Sequence, residues 1–460
     1  MANIKFLDRV EETEKIREMQ KENFFLVVKG RRRIGKTALL LKALPNAAYI
    51  FVWPNKSQTW ITEKVCEELS LPGFKSFVDV VKYLMENKRV LILDEFQNFL
   101  KVDKSVYGEL QRLIDERMLG KKFVKIAVAG SSYSMINKVF MNSASPLYGR
   151  HTHEIQLEAL PIKDLYDGLG FSFEEFIKLW AVFGGVPYYF KLVDSKLSAE
   201  ESIKEIIISR SAQLQNEGRV VLSVEFGGDF KTYGTVLSAI AESKTRLGEI
   251  SAFFDGKTGE ASKYLDILRK EFGLVKRITP LLSDPKKSKD GRYEIIDNFL
   301  GFWFCFIDKH RDYFEQERFA EVEGFFDKNF NAFLGKKFEK FCLESIKARP
   351  ELLPFKPDKI GGQWGKIREK PKGKNTYEID IIALNEKTRE ILFAECKWKN
   401  KANPGKILRE LKEKSQHVQW NNGKRKEFFA VFAKSFSKKT KEKNARCIDL
   451  KEIEKTLLQK

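Results

Sequence analysis

The chain has 460 residues, enough for two to four domains, and 43% of them are hydrophobic, enough for folded cores. A formal net charge of +19 points to a polyanionic partner, most often nucleic acid, unless it reflects a lysine-rich proteome. Five scattered cysteines without a C-x-x-C pair, four histidines and no long uncharged apolar run exclude a disulfide framework, a zinc site and a membrane span, so a cytoplasmic protein is expected.

Phe6-Leu7-Asp8-Arg9 precedes a helix, and Asp8 and Arg9 are candidates to border an adenine. Phe24 to Val28 is an apolar run of strand length, and Ala38 to Leu44 are good helix formers. Between them Gly30, Gly35, Lys36 and Thr37 fit G-x-x-x-x-G-K-[ST]. Strand, glycine-bounded loop and helix in that order are the context of a P-loop. Its successive N–H groups and the helix N-terminus cradle a phosphate chain. The stretch Gly30, Arg31, Arg32, Arg33, Ile34, Gly35, Lys36, Thr37 and Ala38 is therefore the candidate ATP-binding loop. Lys36 suits the β- and γ-phosphates and the Thr37 hydroxyl suits Mg²⁺. Such a loop offers its backbone to the phosphates. The three arginine side chains are thus expected to project away, either into solvent or onto a neighbouring domain, a partner or nucleic acid.

Arg89 to Leu93 reads as a strand buried on both faces, with Asp94 at its C-terminal end to hold Mg²⁺ and Glu95 as general base. Val124 to Gly130 is a third strand, after which Ser131 suits a sensor of the γ-phosphate. Arg150 either stabilises transferred-phosphate charge, in its own subunit or the next, or is a surface arginine. His153 to Leu157 is a further strand.

The series F-L-D-R-x-E-E, G-R-R-R-I-G-K-T, L-I-L-D-E-F-Q, A-G-S-S and S-P-L-Y-G-R closely resembles the archaeal-type AAA+ ATPases, which also occur in bacteria. The resemblance continues with Gly184 to Tyr189 in a helical lid region. It implies an ATP-binding AAA+ core, with Arg150 matching the arginine of the family's pattern.

Residues 160–225 read as mostly helical, with Phe173, Phe176, Ile177 and Trp180 on one face. Leu247 to Phe254, a turn at Asp255 to Gly259, a second helix with Ala261, Tyr264, Leu265 and Leu268, and strands near Gly273 to Ile278 and Tyr293 to Ile296 spell a winged helix-turn-helix. It either enters a DNA major groove or makes a protein contact or hinge. Glu260 and Asp266 on the second helix weigh against DNA. The run Asn298 to Ile307 reads as a buried connecting helix. The order I-D-N-F-L-x-F-W-F again looks like the family member with an appended C-terminal domain, domain of unknown function 234.

Beyond residue 330 a helix carries Phe330, Leu334, Phe338 and Phe341, with Glu339 beside that face. Tyr377 to Leu384 and Glu390 to Trp398 read as strands joined by a turn. Alternation puts Asp380 with Ile382 and Leu384, and Glu395 and Lys397 with Ile391 and Phe393. Charges that continue an apolar face need a partner, and Mg²⁺ on Asp380 and Glu395 is the simple candidate, with Lys397 positioned for water or developing phosphate charge. D-x(14)-E-C-K resembles the PD-(D/E)xK nuclease motif, although Ile379 stands where proline is common. That resemblance implies Glu339 as the helical acid, and hence a metal set of Glu339, Asp380 and Glu395. An inactive nuclease-like fold kept for binding is the alternative. Lysine-dense segments follow, with Trp398 and Trp420 as candidate base-stacking rings, and Phe428 to Ala433 reads as a further strand.

The expected class is α/β: a P-loop AAA+ three-layer core at 1–160, a helical lid at 161–228, a winged helix-turn-helix at 229–310, and an α/β restriction-endonuclease-like domain at 325–460. The expected protein binds and hydrolyses ATP with Mg²⁺ and associates with DNA, with a protein partner or oligomer also open. The rival is a non-catalytic ATP-dependent switch.

Overall fold

The computed structural model describes residues 9–167, 169–226, 230–367, 370–371 and 374–459. Asp8 lies outside them. Five short strands form the first sheet: β1 (Phe24–Lys29), β2 (Ala48–Phe51), β3 (Leu91–Asp94), β4 (Lys125–Gly130) and β5 (His153–Gln156). Their order is β2-β3-β4-β1-β5 and every pairing is parallel. Parallel strands need crossovers, and helices supply them on both faces, so β1 is buried at all its positions. Strand β2 lies within the apolar run Ala47 to Trp53, which carries no charged residue or chemical motif and is not among the expected strands. The C-terminal ends of β1, β3 and β4 lie side by side, where open parallel sheets bind ligands.

The lid follows. Its helix Phe173–Phe183 buries Phe173, Phe176, Ile177 and Trp180, as the periodicity requires. Helices Phe230–Ala241, Leu247–Ser251 and Thr258–Lys270 then precede the antiparallel pair β6 (Val275–Ile278) and β7 (Arg292–Ile295). This is the order expected of a winged helix. The helix Asn298–Phe306 is capped by Asp297, which accepts from the Phe299 and Leu300 N–H groups, and Phe299, Phe302 and Phe304 are fully buried.

The second sheet has order β12-β11-β10-β9-β8, from β8 (Lys359–Lys366), β9 (Thr376–Asn385), β10 (Glu390–Lys397), β11 (Lys426–Ala433) and β12 (Ala445–Asp449). The first three strands are antiparallel neighbours, while β10, β11 and β12 run parallel. Helix Pro404–Ser415 crosses between β10 and β11 and buries Leu408 and Leu411. The 30-residue helix Phe319–Ala348 covers the other face. Its N-terminal half packs Phe326 edge-on against Phe302 and Phe306, and its C-terminal half sets Phe338 against Trp398 after β10 and Phe341 against Trp180 of the lid. One apolar cluster therefore runs from β1 through the lid to β10 and β11. Trp398 packs between Phe338 and Lys434, and Trp420 packs against the second sheet's core, so both rings are half-buried in packing contacts. Among the described residues no helix is long and apolar enough to cross a membrane.

The loop between β6 and β7 is docked on the second sheet. Leu281 N–H donates to Gly362 O at 3.0 Å, and Trp364 Nε1 donates to Asp290 O at 2.9 Å. Arg292 makes a two-pronged contact with Glu378 at 2.6 and 3.0 Å and lies 4.3 Å from the Trp364 ring centroid.

Candidate functional site

Gly35 adopts φ +100°, a left-handed conformation that glycine takes without penalty, and starts the helix Lys36–Ala43. Gly30 passes under Leu157, whose carbonyl would lie 2.8 Å from an added Cβ. Between them the loop curls around Lys36, whose Nζ donates to Gly30 O at 2.8 Å and Arg31 O at 3.0 Å. Burial lowers the Lys36 pKa to about 8, against the pull of Glu95 and Asp94. Arg9 braces the crest of the loop, donating to Ile34 O at 3.2 Å and Glu158 O at 2.7 Å. Ala38 is exposed on the first turn of the helix.

Asp94 ends β3. Its Oδ2 accepts from Thr37 Oγ1 at 2.6 Å and Tyr49 OH at 3.0 Å, and its Oδ1 accepts from the Glu95 N–H at 2.9 Å. Glu95 has φ +52°, which turns its carboxylate back toward β4. There Ser131 Oγ and Gln97 Nε2 both donate to Oε2, at 2.8 and 2.5 Å. Gly130 makes room for Gln97, since a Cβ would meet Gln97 Oε1 at 2.4 Å. The sequence-derived candidates Lys36, Thr37, Asp94, Glu95 and Ser131 thus converge. Thr37 and Asp94 present two oxygens to one point, a donor set that fits Mg²⁺. Sequence reasoning missed Tyr49 and Gln97, which sit in a four-residue strand and a single turn without periodic signal.

The three arginines divide. Arg32 is exposed. Arg31 forms an ion pair with buried Asp297, and Arg33 Nε meets Glu217 Oε1 at 2.8 Å with Tyr188 covering its guanidinium. Their backbone shapes the loop while two of the side chains fasten it to the lid and the connecting helix. Arg150 pairs with Asp115 at 3.3 Å and donates to Tyr148 O, so its side chain is held among core surface groups.

In the second sheet a bulge alters the expected alternation. Gly361 and Gln363 of β8 oppose Ile382 and Ile379 of β9, so β9 carries an extra residue. Ile379 and Ile382 both face Phe393 and Leu411, while Ile381 faces the other core. Asp380 sits at that bulge. Its Oδ2 accepts the Cys396 N–H at 2.8 Å, just past the point where β9 and β10 stop pairing. Lys397 Nζ lies 2.6 Å from Glu395 Oε2 and 3.6 Å from Asp380 Oδ2. Lys414, from helix Pro404–Ser415, holds the other Glu395 oxygen at 2.6 Å. Burial, then the charge of Glu395, raises the Asp380 pKa to about 6. Glu339 projects from the helix Phe319–Ala348, and burial, then Asp380, pushes its pKa to about 8. Lys397 is raised despite burial, by Asp380 and Glu395. Asp380, Glu395 and Lys397 therefore come together. The expected three-acid metal set does not: among the described residues no three acidic, histidine or cysteine side chains converge closely enough to hold one ion. Glu339 rides on the helix Phe319–Ala348, near enough for the charge of Asp380 to act on it. Lys414 was missed because a lysine in a lysine-dense helix carries no signal of its own.

These features define a P-loop ATPase core joined to a separate C-terminal sheet domain. Residues 6–193 match a family described as an ATPase domain predominantly from Archaea, and residues 303–415 match one described as archaeal and bacterial proteins of unknown function. The chain is 31% identical over 469 aligned positions to "Uncharacterized protein MJECL04" of Methanocaldococcus jannaschii, covering 96% of this chain and 98% of that one. Among solved structures it resembles the Walker-type ATPase PABY2304 of Pyrococcus abyssi, with a TM-score of 0.50 and 16% identity over 65% of this chain and 96% of that one. The chain belongs to the archaeal-type ATPase family that carries this C-terminal domain.

Proposed function

We propose that the protein hydrolyses ATP in its N-terminal core and engages DNA through its nuclease-like C-terminal domain. The observation that carries the first half is the meeting of Lys36, Thr37, Asp94, Glu95 and Ser131 at the strand ends. In this reading Lys36 leaves the loop carbonyls for the phosphates, and Thr37 and Asp94 hold Mg²⁺, which neutralises phosphate charge when bound. Glu95 orients the attacking water, with Ser131 and Gln97 setting its carboxylate. For the second half, Asp380, Glu395 and Lys397 supply the acid–acid–lysine trio, and exposed Lys399, Lys401, Lys406, Lys424, Lys438 and Lys441 supply phosphate contacts. At the trio, Glu395 is paired with Lys397 and Lys414, and Lys397 also reaches Asp380.

A second reading has its own support. Two lysines neutralise Glu395 and the β6–β7 loop is docked on β8, which suits a nucleotide-driven switch that binds without cutting. Incubation with plasmid and linear DNA, Mg²⁺ or Mn²⁺, with and without ATP, separates the two. Cleavage that disappears in Asp380→Ala supports the nuclease, while intact ATPase with no cleavage supports the switch. Lys36→Ala is expected to lose ATP binding; unchanged affinity would count against the loop.

A further inference from the structure

Helix Glu217–Phe226 is fastened near both ends, to the phosphate loop and to the turn after β4. At its first residue Glu217 Oε1 meets Arg33 Nε at 2.8 Å, inside the phosphate loop. About two turns on, Glu225 accepts from Ser132 Oγ at 3.0 Å, Tyr133 N at 2.8 Å, Ser134 Oγ at 2.9 Å and Ser134 N at 3.4 Å. Ser132 directly follows Ser131, the residue whose hydroxyl holds Glu95. The base of the helix is tightly packed: Gly218 lies so close to Trp303 that a Cβ would come within 2.2 Å, and Trp303 Nε1 donates to Gln215 O at 2.7 Å.

A helix that served only as cover would gain nothing from acids at both ends, because taking a carboxylate out of water is unfavourable. Burial raises the pKa of both Glu217 and Glu225, Glu217 against the pull of Arg33 and Glu225 against its serine and backbone donors. Each is kept by the groups it fastens. Those groups belong to the phosphate loop and to the turn that follows Ser131.

We propose that helix Glu217–Phe226 is a strap across the nucleotide site, tied by Glu217 to the phosphate loop and by Glu225 to the turn after β4, and that its release gates nucleotide exchange. The strap rests on the reading of Gly30–Ala38 as the nucleotide loop. One rigid helix tied at two points must break both ties to open, so the two ties add in the barrier to release.

The test is the release of N-methylanthraniloyl-ADP, chased with unlabelled ADP, from the full chain and from Glu217→Gln, Glu225→Gln and the double variant. Glutamine keeps the size and one acceptor oxygen, and far-UV circular dichroism checks the fold. Each single variant is expected to release the label roughly tenfold faster, the effect of weakening one charge-assisted hydrogen bond. The double variant should be faster than either single one, by about the product of the two effects. Unchanged release in both singles overturns the strap, and so does a double variant no faster than the faster single one. Hydrogen exchange on the unmodified protein asks the same question without a variant. The strap requires amides in Glu217–Phe226 and Tyr133–Met135 to open at one rate, and distinct rates overturn it. A wild-type protein that binds no labelled ADP removes the nucleotide-loop reading and the strap with it. Binding with unchanged kinetics removes the strap alone.

Discussion

Glu95 shows how much a single residue's conformation decides. Its left-handed backbone directs the carboxylate away from Asp94 and into the donors of Ser131 and Gln97, so two adjacent acids take different partners. Lys337 is a second case. Its Nζ has Asn298 Oδ1 at 3.3 Å and the Phe333 ring at 5.4 Å, and burial lowers its pKa to about 8 from an ordinary 10.5. Below about pH 8 the lysine is charged in both folded and unfolded chains, and the folded state bears the cost of a buried charge. As pH rises from about 8 to 10.5 the folded form sheds its proton first and that cost disappears. Lys337→Met is therefore expected to melt higher than wild type at pH 7, with the gap closing toward pH 10.5. A gap that does not change with pH would refute the assignment.

At the scale of elements, the β9 bulge and the docked β6–β7 loop matter most. Strict alternation would put Asp380 squarely on one face, but the extra residue sets it at the edge of the β9–β10 ladder. There it takes a backbone N–H and is reached by Lys397. The β6–β7 loop is polar in sequence, yet it is docked, with Arg292 clipping its end to Glu378 and Trp364. Glu378 is half exposed, so solvent screens this pair. Arg292→Ala should cost about 1 kcal/mol. It should also speed hydrogen exchange in residues 279–291 while leaving the Thr258–Lys270 helix unchanged. Equal exchange in the loop with and without Arg292 would show that the docking is held by Leu281 and Trp364 alone.

At the scale of the molecule, the helix Phe319–Ala348 makes the two sheets one structure. It touches the connecting helix, the lid and β10 in turn, and its aromatic contacts are buried along that path. The Arg31–Asp297 pair enters the same path at Asn298, which Lys340 reaches at 2.9 Å from the helix that also carries Glu339. A shared core predicts shared unfolding. Scanning calorimetry of the intact protein should give one cooperative transition, and Phe302→Ala should lower it as a whole, by about 3–5 kcal/mol of stability. Two well-separated transitions, only one of them moved by that substitution, would mean the sheets unfold independently.

The phosphate loop, the acid pair at Asp94 and Glu95, the lid helix and the strands bearing Asp380, Glu395 and Lys397 were legible from the chain alone. Each is written in local spacing: glycines that permit one turn, apolar residues at one period, a charge at a strand's end. Residues such as Tyr49, Gln97, Glu217, Glu225, Asp297 and Lys414 were not, because their partners are distant in sequence and their own neighbourhoods are ordinary. Which face Glu339 occupies, which donors an acid finds, and whether two sheets share a core depend on how helices pack and where a strand bulges. Those are contacts between segments far apart along the chain, and only the folded chain brings them together.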